Sequence, residues 1–107
     1  MSRAAAQSRD VRKGDGMDRV TEDAARGRFE LAFAGGTAFA SYRADGDRVV
    51  ITHTEVPHAF SGQGIGSRLA QGIFEQVRAS GRKVVIRCSF IADWVRRNPG
   101  YSDLVEG

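Results

Sequence analysis

Gly62, Gly64 and Gly66 stand at alternate positions between a β-branched stretch and an amphipathic one, and that junction suits an anion. Glycine lets the backbone turn tightly and approach a ligand closely. The first turn of a helix presents N–H groups without intrahelical partners at the positive end of the macrodipole, so a phosphate fits there. An ordinary strand-to-helix turn also uses glycines, and spacing alone does not separate the two. Just upstream, strict alternation puts His53 and Glu55 on one strand face with Val49 and Ile51, so both side chains would reach the same cleft. A carboxylate or imidazole there can remove a proton from an ammonium, directly or through water. The plainer roles are a sheet hydrogen bond for His53 and an arginine partner for Glu55. Cys88 falls near the carboxyl end of a later strand, on the face of Val84 and Ile86. It suits a small buried hydrophobe or a nucleophile, and the second role needs a positive group or base to supply thiolate character.

The chain of 107 residues, 41% hydrophobic, is long enough for one core and too short for two. Its single cysteine excludes an internal disulfide framework, and histidines at 53 and 58 offer no ligand cluster, so no metal is expected. The N-terminus carries no signal-peptide core and no run approaches the roughly twenty apolar residues of a membrane span, so a soluble, cytoplasmic protein is expected. The net charge of +3 is spread without a like-charge block or an aromatic-interleaved basic stripe. That pattern argues against a nucleic-acid partner and suits an anionic cofactor.

Residues 1–18 are small, polar and charged without hydrophobic period, and are expected to form a disordered tail ahead of a single domain over 19–107. Met17 is an alternative start. From Arg28 the pattern has period two through Phe29, Leu31 and Phe33; Gly35-Gly36 interrupts it, and Thr37 to Arg43 continues as a second strand. Asp45-Gly46-Asp47 marks the next turn, and Arg48 to Val56 is the third strand of an antiparallel meander. Ile65, Leu69, Ile73 and Val77 then recur every fourth residue, predicting a helix that packs on the sheet and ends at Ser80-Gly81. Gly72 inside it marks either a close backbone approach or a tolerated weakness of about 1 kcal/mol. Lys83 to Ser89 follows as a strand parallel to the third through a right-handed crossover, and Ile91 to Arg97 as a short helix stopped by Pro99-Gly100. The fold class is therefore α+β: a mixed sheet in the order β-β-β-α-β-α, with the glycine loop between the third strand and the main helix.

That order, with Ser61-Gly62-Gln63-Gly64-Ile65-Gly66 at the junction, resembles the GNAT superfamily of N-acetyltransferases, whose signature Gln/Arg-x-x-Gly-x-Gly/Ala holds the pyrophosphate of acetyl-coenzyme A. Ser61 replaces the leading Gln or Arg. His-Thr-Glu-Val-Pro at 53–57, Cys-Ser-Phe-Ile at 88–91 and Arg-Arg-Asn-Pro-Gly-Tyr-Ser-Asp-Leu-Val at 96–105 are similar to the minimal, YjdJ-like branch, which lacks the N-terminal helices of larger members. The resemblance implies acetyl-coenzyme A between the third and fourth strands. The N–H groups of Gly62, Gln63, Gly64, Ile65, Gly66 and Ser67 would face its pyrophosphate, Val56 would pair with its pantetheine amides, and Arg68 would add charge. It implies acetyl transfer to an unidentified amine, with Glu55 favoured as base, His53 as its alternative or as activator of Cys88, and Cys88 as an acetyl-accepting nucleophile. A coenzyme A-binding sensor or interaction module with little catalysis is the alternative, and a monomer or weak dimer is expected. Arg96 falls where larger relatives place a tyrosine acid, and Trp94 either walls the site or packs in the core.

Overall fold

Period-two patterning from Arg28 onward does build a sheet, and one more strand precedes it. The computed structural model describes residues 19–33, 36–57 and 64–106; the expected tail over 1–18, and Gly62 and Gln63 of the glycine loop, lie outside them. Five strands form one sheet in chain order: β1 (Thr21–Asp23), β2 (Arg28–Phe33), β3 (Gly36–Asp45), β4 (Arg48–Glu55) and β5 (Lys83–Ile86). Successive strands are antiparallel through β4, and β4 and β5 are parallel. Helix α1 (Ile65–Ala79) makes the crossover between them, and α2 (Ser89–Arg97) and a 3-10 helix (Pro99–Leu104) follow β5. The order from β2 onward is the expected one. Three-residue β1 is too short to carry an alternation and is held by pairing of Thr21–Asp23 with Arg28–Glu30. Strand β5 stops three residues before the expected Ser89, because the chain turns there into α2, with Cys88 still extended as its N-cap (φ −127°, ψ 126°).

One face of the sheet carries the core. Phe29, Leu31, Ala38, Ala40, Val49, Ile51 and Val84 meet α1 through Leu69, Ile73, Phe74 and Val77, and α2 through Ile91 and Trp94. Burying side chains of this size contributes about 1.5–3 kcal/mol each, which holds α1 against the sheet far more firmly than its propensity does. Gly72 is a close approach: a Cβ there would overlap the side chain of Val20, whose carbonyl also accepts a hydrogen bond from Gln76 Nε2.

The β3–β4 ladder contains an irregularity that changes which residues share a face. Tyr42 pairs with Ile51 and Ser41 with His53, so Thr52 is an extra residue on β4, its Oγ1 3.3 Å from the Ser41 carbonyl. An inserted residue reverses the in/out phase of everything beyond it. Val49 and Ile51 therefore face the helices, and after the bulge Thr54 does, paired with buried Ala40. His53 and Glu55 pair with Ser41 and Phe39, whose β2 partners Arg28 and Glu30 alternate with the core residues Phe29 and Leu31. The expectation that His53 and Glu55 share the face of Val49 and Ile51 is thus corrected: they lie on the outer face.

At the end of the sheet away from the glycine loop, Arg82 donates from both terminal nitrogens to the Glu22 carboxylate at 3.0 Å, and Tyr42 Oη donates to the same carboxylate. The Arg82 hydrogen bonds pull the Glu22 carboxyl below its ordinary range against the opposing cost of burial. Burial, and then the bond to Glu22, push the Tyr42 phenol up to about 12.

Two outcomes follow from this packing. Gly72→Ala should destabilise the fold by about 1–3 kcal/mol in urea denaturation despite the better helix propensity of alanine, and Val20→Ala in the same chain should recover most of the loss. Because the folded pKa of Glu22 is depressed, its contribution is present above the unfolded carboxyl pKa and disappears as pH falls through the folded one. Glu22→Gln should therefore be less stable than wild type by roughly 1–3 kcal/mol at pH 7, with the gap closing as denaturation is repeated below about pH 4.

Candidate active site

Parallel pairing of β4 and β5 covers only Arg48–Ile51 against Lys83–Ile86, and the last bond runs from the Arg87 N–H to the Ile51 carbonyl at 2.8 Å. Beyond it β4 continues for four residues, paired to β3 alone among the described residues. The two strands part at their carboxyl ends, leaving a wedge with the backbone edge of β4 open along one side. Ligands of parallel strands bind outside the carboxyl ends, and the helix that follows β4 begins there.

The first turn of α1 presents backbone N–H groups of the kind that could hold an anion. Gly64, the N-cap, has φ 80° and ψ 3°, a left-handed conformation that glycine adopts without penalty. Its carbonyl accepts the first helical bond, from Arg68 N–H at 3.0 Å. No side chain caps the turn and no acidic residue lies in it, so the N–H groups of Ile65, Gly66 and Ser67 have no partner within the helix. Ile65 turns its side chain into the core, leaving only its backbone for a ligand, while Ser67 and Arg68 are exposed. Gly66 lies close to α2: a Cβ there would stand 2.5 Å from the far edge of the Phe90 ring, and that exposed side chain would have to move aside.

Helix α2 contributes a second contact to the same turn. Trp94 Nε1 donates to Ser67 Oγ at 2.8 Å, while its ring stacks on Phe74 at 5.6 Å and meets Tyr101 at 5.4 Å. Of the two roles expected for Trp94, the structure shows core packing, with the indole N–H turned to Ser67. Phe90 and Trp94 are four apart on a helix, a spacing that puts them on one face and was readable as a pair.

The structure divides the expected catalytic residues between the two sheet faces. On the helix side, Cys88 is half-buried against the core, and its Sγ donates to Thr54 Oγ1 at 3.3 Å, a contact that spans the parting strands. Val56 packs against the same core. On the outer face His53 Nε2 lies 3.5 Å from Glu55 Oε2, with side chains 59% and 62% exposed. Phe39 lies beside the pair, edge-on to the His53 ring at 6.4 Å and under the Arg28 guanidinium at 4.5 Å. The pair is thus open to solvent, on the face opposite Cys88. Arg96 is 67% exposed and paired with Asp93 at 3.0 Å. Thr54, which sequence reasoning did not single out, stands beside Cys88 because the bulge that turns it inward is a property of the pairing.

Residues 28–104 match the family model described as GCN5-related N-acetyl-transferase. The protein NATD1 of mouse (Mus musculus) is 34% identical over 87 residues, covering 78% of this chain and 79% of its own. NATD1 of Xenopus tropicalis is 34% identical over 93 residues, covering 79% and 85%. In three dimensions the chain is similar to the NMR solution structure of a GCN5-like protein from Staphylococcus aureus, with a TM-score of 0.66 and 24% identity over 88% of this chain and 92% of that one. This last likeness establishes the fold.

The Trp94–Ser67 bond ties α2 to the first turn of α1 and has a measurable signature. Ser67→Ala should cost about 1–3 kcal/mol in chemical denaturation, since the indole N–H of a residue only 3% exposed loses its acceptor. In a Trp94→Phe background the same substitution should cost close to nothing.

Proposed function

The chain belongs to the GCN5-related N-acetyltransferase family and is an N-acetyltransferase by that membership, and we propose that its acetyl donor is acetyl-coenzyme A held where β4 and β5 part. The observation that carries this reading is the wedge itself, with an uncapped, glycine-lined helix N-terminus at its mouth. The residues present fit the group. First-turn N–H groups from Gly64 to Ser67 suit a pyrophosphate, with Gly62 and Gln63 added by the family resemblance, and Arg68 supplies charge beside them. The open edge of β4 up to Val56 suits the amides of a pantetheine arm, in the way an added strand pairs with a sheet edge. When bound, the thioester supplies an activated acetyl group.

The acceptor in this reading is an amine arriving on the outer face, where Glu55 takes the ammonium proton and His53, 3.5 Å away, shares or relays it. Their exposure leaves room for an acceptor that brings its own hydrogen bonds. A second reading, transfer through an acetyl-Cys88 intermediate, is favoured by one observation: the thiol lies on the helix side of the wedge, held to Thr54 across it. There the sulfur would attack the acetyl carbon as the donor's C–S bond breaks, the thiol proton leaving with the departing coenzyme A thiolate, and an amine would then attack the acetyl-Cys88 thioester, its proton going to the sulfur as that C–S bond breaks.

Calorimetric titration of acetyl-coenzyme A into wild type and Gly64→Asp tests the placement. The aspartate puts a negative charge at the helix N-terminus and should weaken binding at least about tenfold. Turnover of an amine panel should fall in Glu55→Gln, and intact mass after incubation with donor alone should show an added acetyl group only if Cys88 is acylated. Undiminished binding by Gly64→Asp would sink the proposed site. Tight binding with no turnover of any amine would instead favour a coenzyme A-binding module.

A further inference from the structure

We infer that the amine acceptor is an acidic peptide segment laid along the outer face of the sheet, its amine at Glu55 and its carboxylates on Arg43 and Arg87. The inference rests on the proposed acceptor site on that face and names the chemistry it would select. Basic residues are spread through the sequence without a block, but the strand register gathers several of them. Val84 and Ile86 pack with the core, so Val85 and Arg87 turn to the outer face, and Arg43, Val50 and Val85 form one row across β3, β4 and β5 there, with Arg48 and Lys83 in the next. Val50 is only 3% exposed although the helices pack on the opposite face, so the stems of the long side chains around it cover it and their charged ends point outward.

Two of these cations are free to take a ligand. Arg48 stands 3.9 Å from Asp45 and 3.7 Å from Glu106, and Lys83 Nζ donates to the Asp103 carbonyl at 3.1 Å. Arg43 and Arg87 are exposed, and among the described residues their side chains have no hydrogen-bond or ion-pair partner. They lie on either side of β4, Arg43 opposite Val50 and Arg87 beside Ile51, and His53 and Glu55 follow along β4 on the same face. Glu55 pairs with Phe39, four residues from Arg43 on β3, which is about 13 Å at roughly 3.4 Å per residue. An extended peptide spans that distance and a free amino acid does not. The face is therefore bipolar, with a carboxylate where the ammonium would lose its proton and cations one short segment away. A nucleic acid fits it poorly, because Glu55 would stand against the phosphates and Arg28 beyond it is held by Glu30 at 2.7 Å. A polyamine would bring its second ammonium to Arg43.

A fluorescent peptide of glycine and serine with a central lysine and a glutamate four residues to each side, compared with the same peptide carrying glutamines, tests this in either chain direction. At low ionic strength wild type should bind and acetylate the acidic peptide about three- to tenfold better, through KM rather than kcat, and the preference should shrink as salt is added. Arg43→Gln with Arg87→Gln should remove the preference. Arg43→Glu with Arg87→Glu should pass it to a peptide with lysines in place of the glutamates, a reversal that a merely structural role of the arginines would not produce. Circular dichroism checks folding, and the single variants replace a double variant that does not fold. Equal KM for the two peptides in wild type, a preference kept after charge reversal, or a parallel loss of acetyl-coenzyme A affinity in the double variant would overturn the inference. So would tighter binding of an oligothymidylate than of either peptide, or peptide binding without acetylation by a protein that does bind the donor. Failure to bind acetyl-coenzyme A in calorimetry would instead overturn the donor placement, and peptide anisotropy, which needs no donor, reads the acidic preference separately.

Discussion

Everything at the site depends on β4 outrunning its parallel partner. The ladder between β4 and β5 lasts four residues and ends at the Arg87–Ile51 bond, because β5 turns into α2 while β4, bulged at Thr52, continues with β3. A bulge bends the strand that carries it and increases its twist, which draws the two carboxyl ends apart. The crossover then has no freedom in placing its ends. It must leave from the carboxyl end of β4 and return to the amino end of β5, so the N-terminus of α1 opens at the wedge and its C-terminus at the far end of the sheet. A cleft with open backbone on one side and a helix N-terminus at its mouth is the consequence of pairing geometry, and the glycines make it accessible.

Helix α2 turns that opening into a defined surface. Phe90 lies against Gly66 and Trp94 binds Ser67, so the first turn of α1 is held from the side by two aromatic residues one helical turn apart. Behind them Phe74, Trp94 and Tyr101 form one aromatic cluster, with Tyr101 Oη donating to Glu75 at 2.6 Å. The opposite end of α1 is anchored by the charged contacts of Arg82 with Glu22 beneath Tyr42. The helix is thereby held near both ends.

The bulge also divides the chemistry between two faces. Thiol and threonine face the helices, and the imidazole and carboxylate face outward across the same strand. One inserted residue is enough to place these two groups on opposite faces, because it reverses the alternation of everything that follows it on the strand.

Much of this was legible in the residues alone. Apolar periods of two and four marked β2 to β5 and α1, because each element buries one face and its pattern records that locally. Gly64 and Gly66 marked the junction, since a left-handed turn and a close approach to a neighbouring ring each favour glycine. The outward turn of His53 and Glu55, the inward turn of Thr54, the bond from Trp94 to Ser67 and the seat of Val20 on Gly72 were decided only in three dimensions. Each depends on a partner distant in the chain: Ser41 and Tyr42 across the ladder, α2 folded back on α1, and the strand entry laid over a helix. Local sequence records which face a residue would take in a regular strand. A bulge is made by the register of two strands together, so only their pairing could show where the alternation breaks.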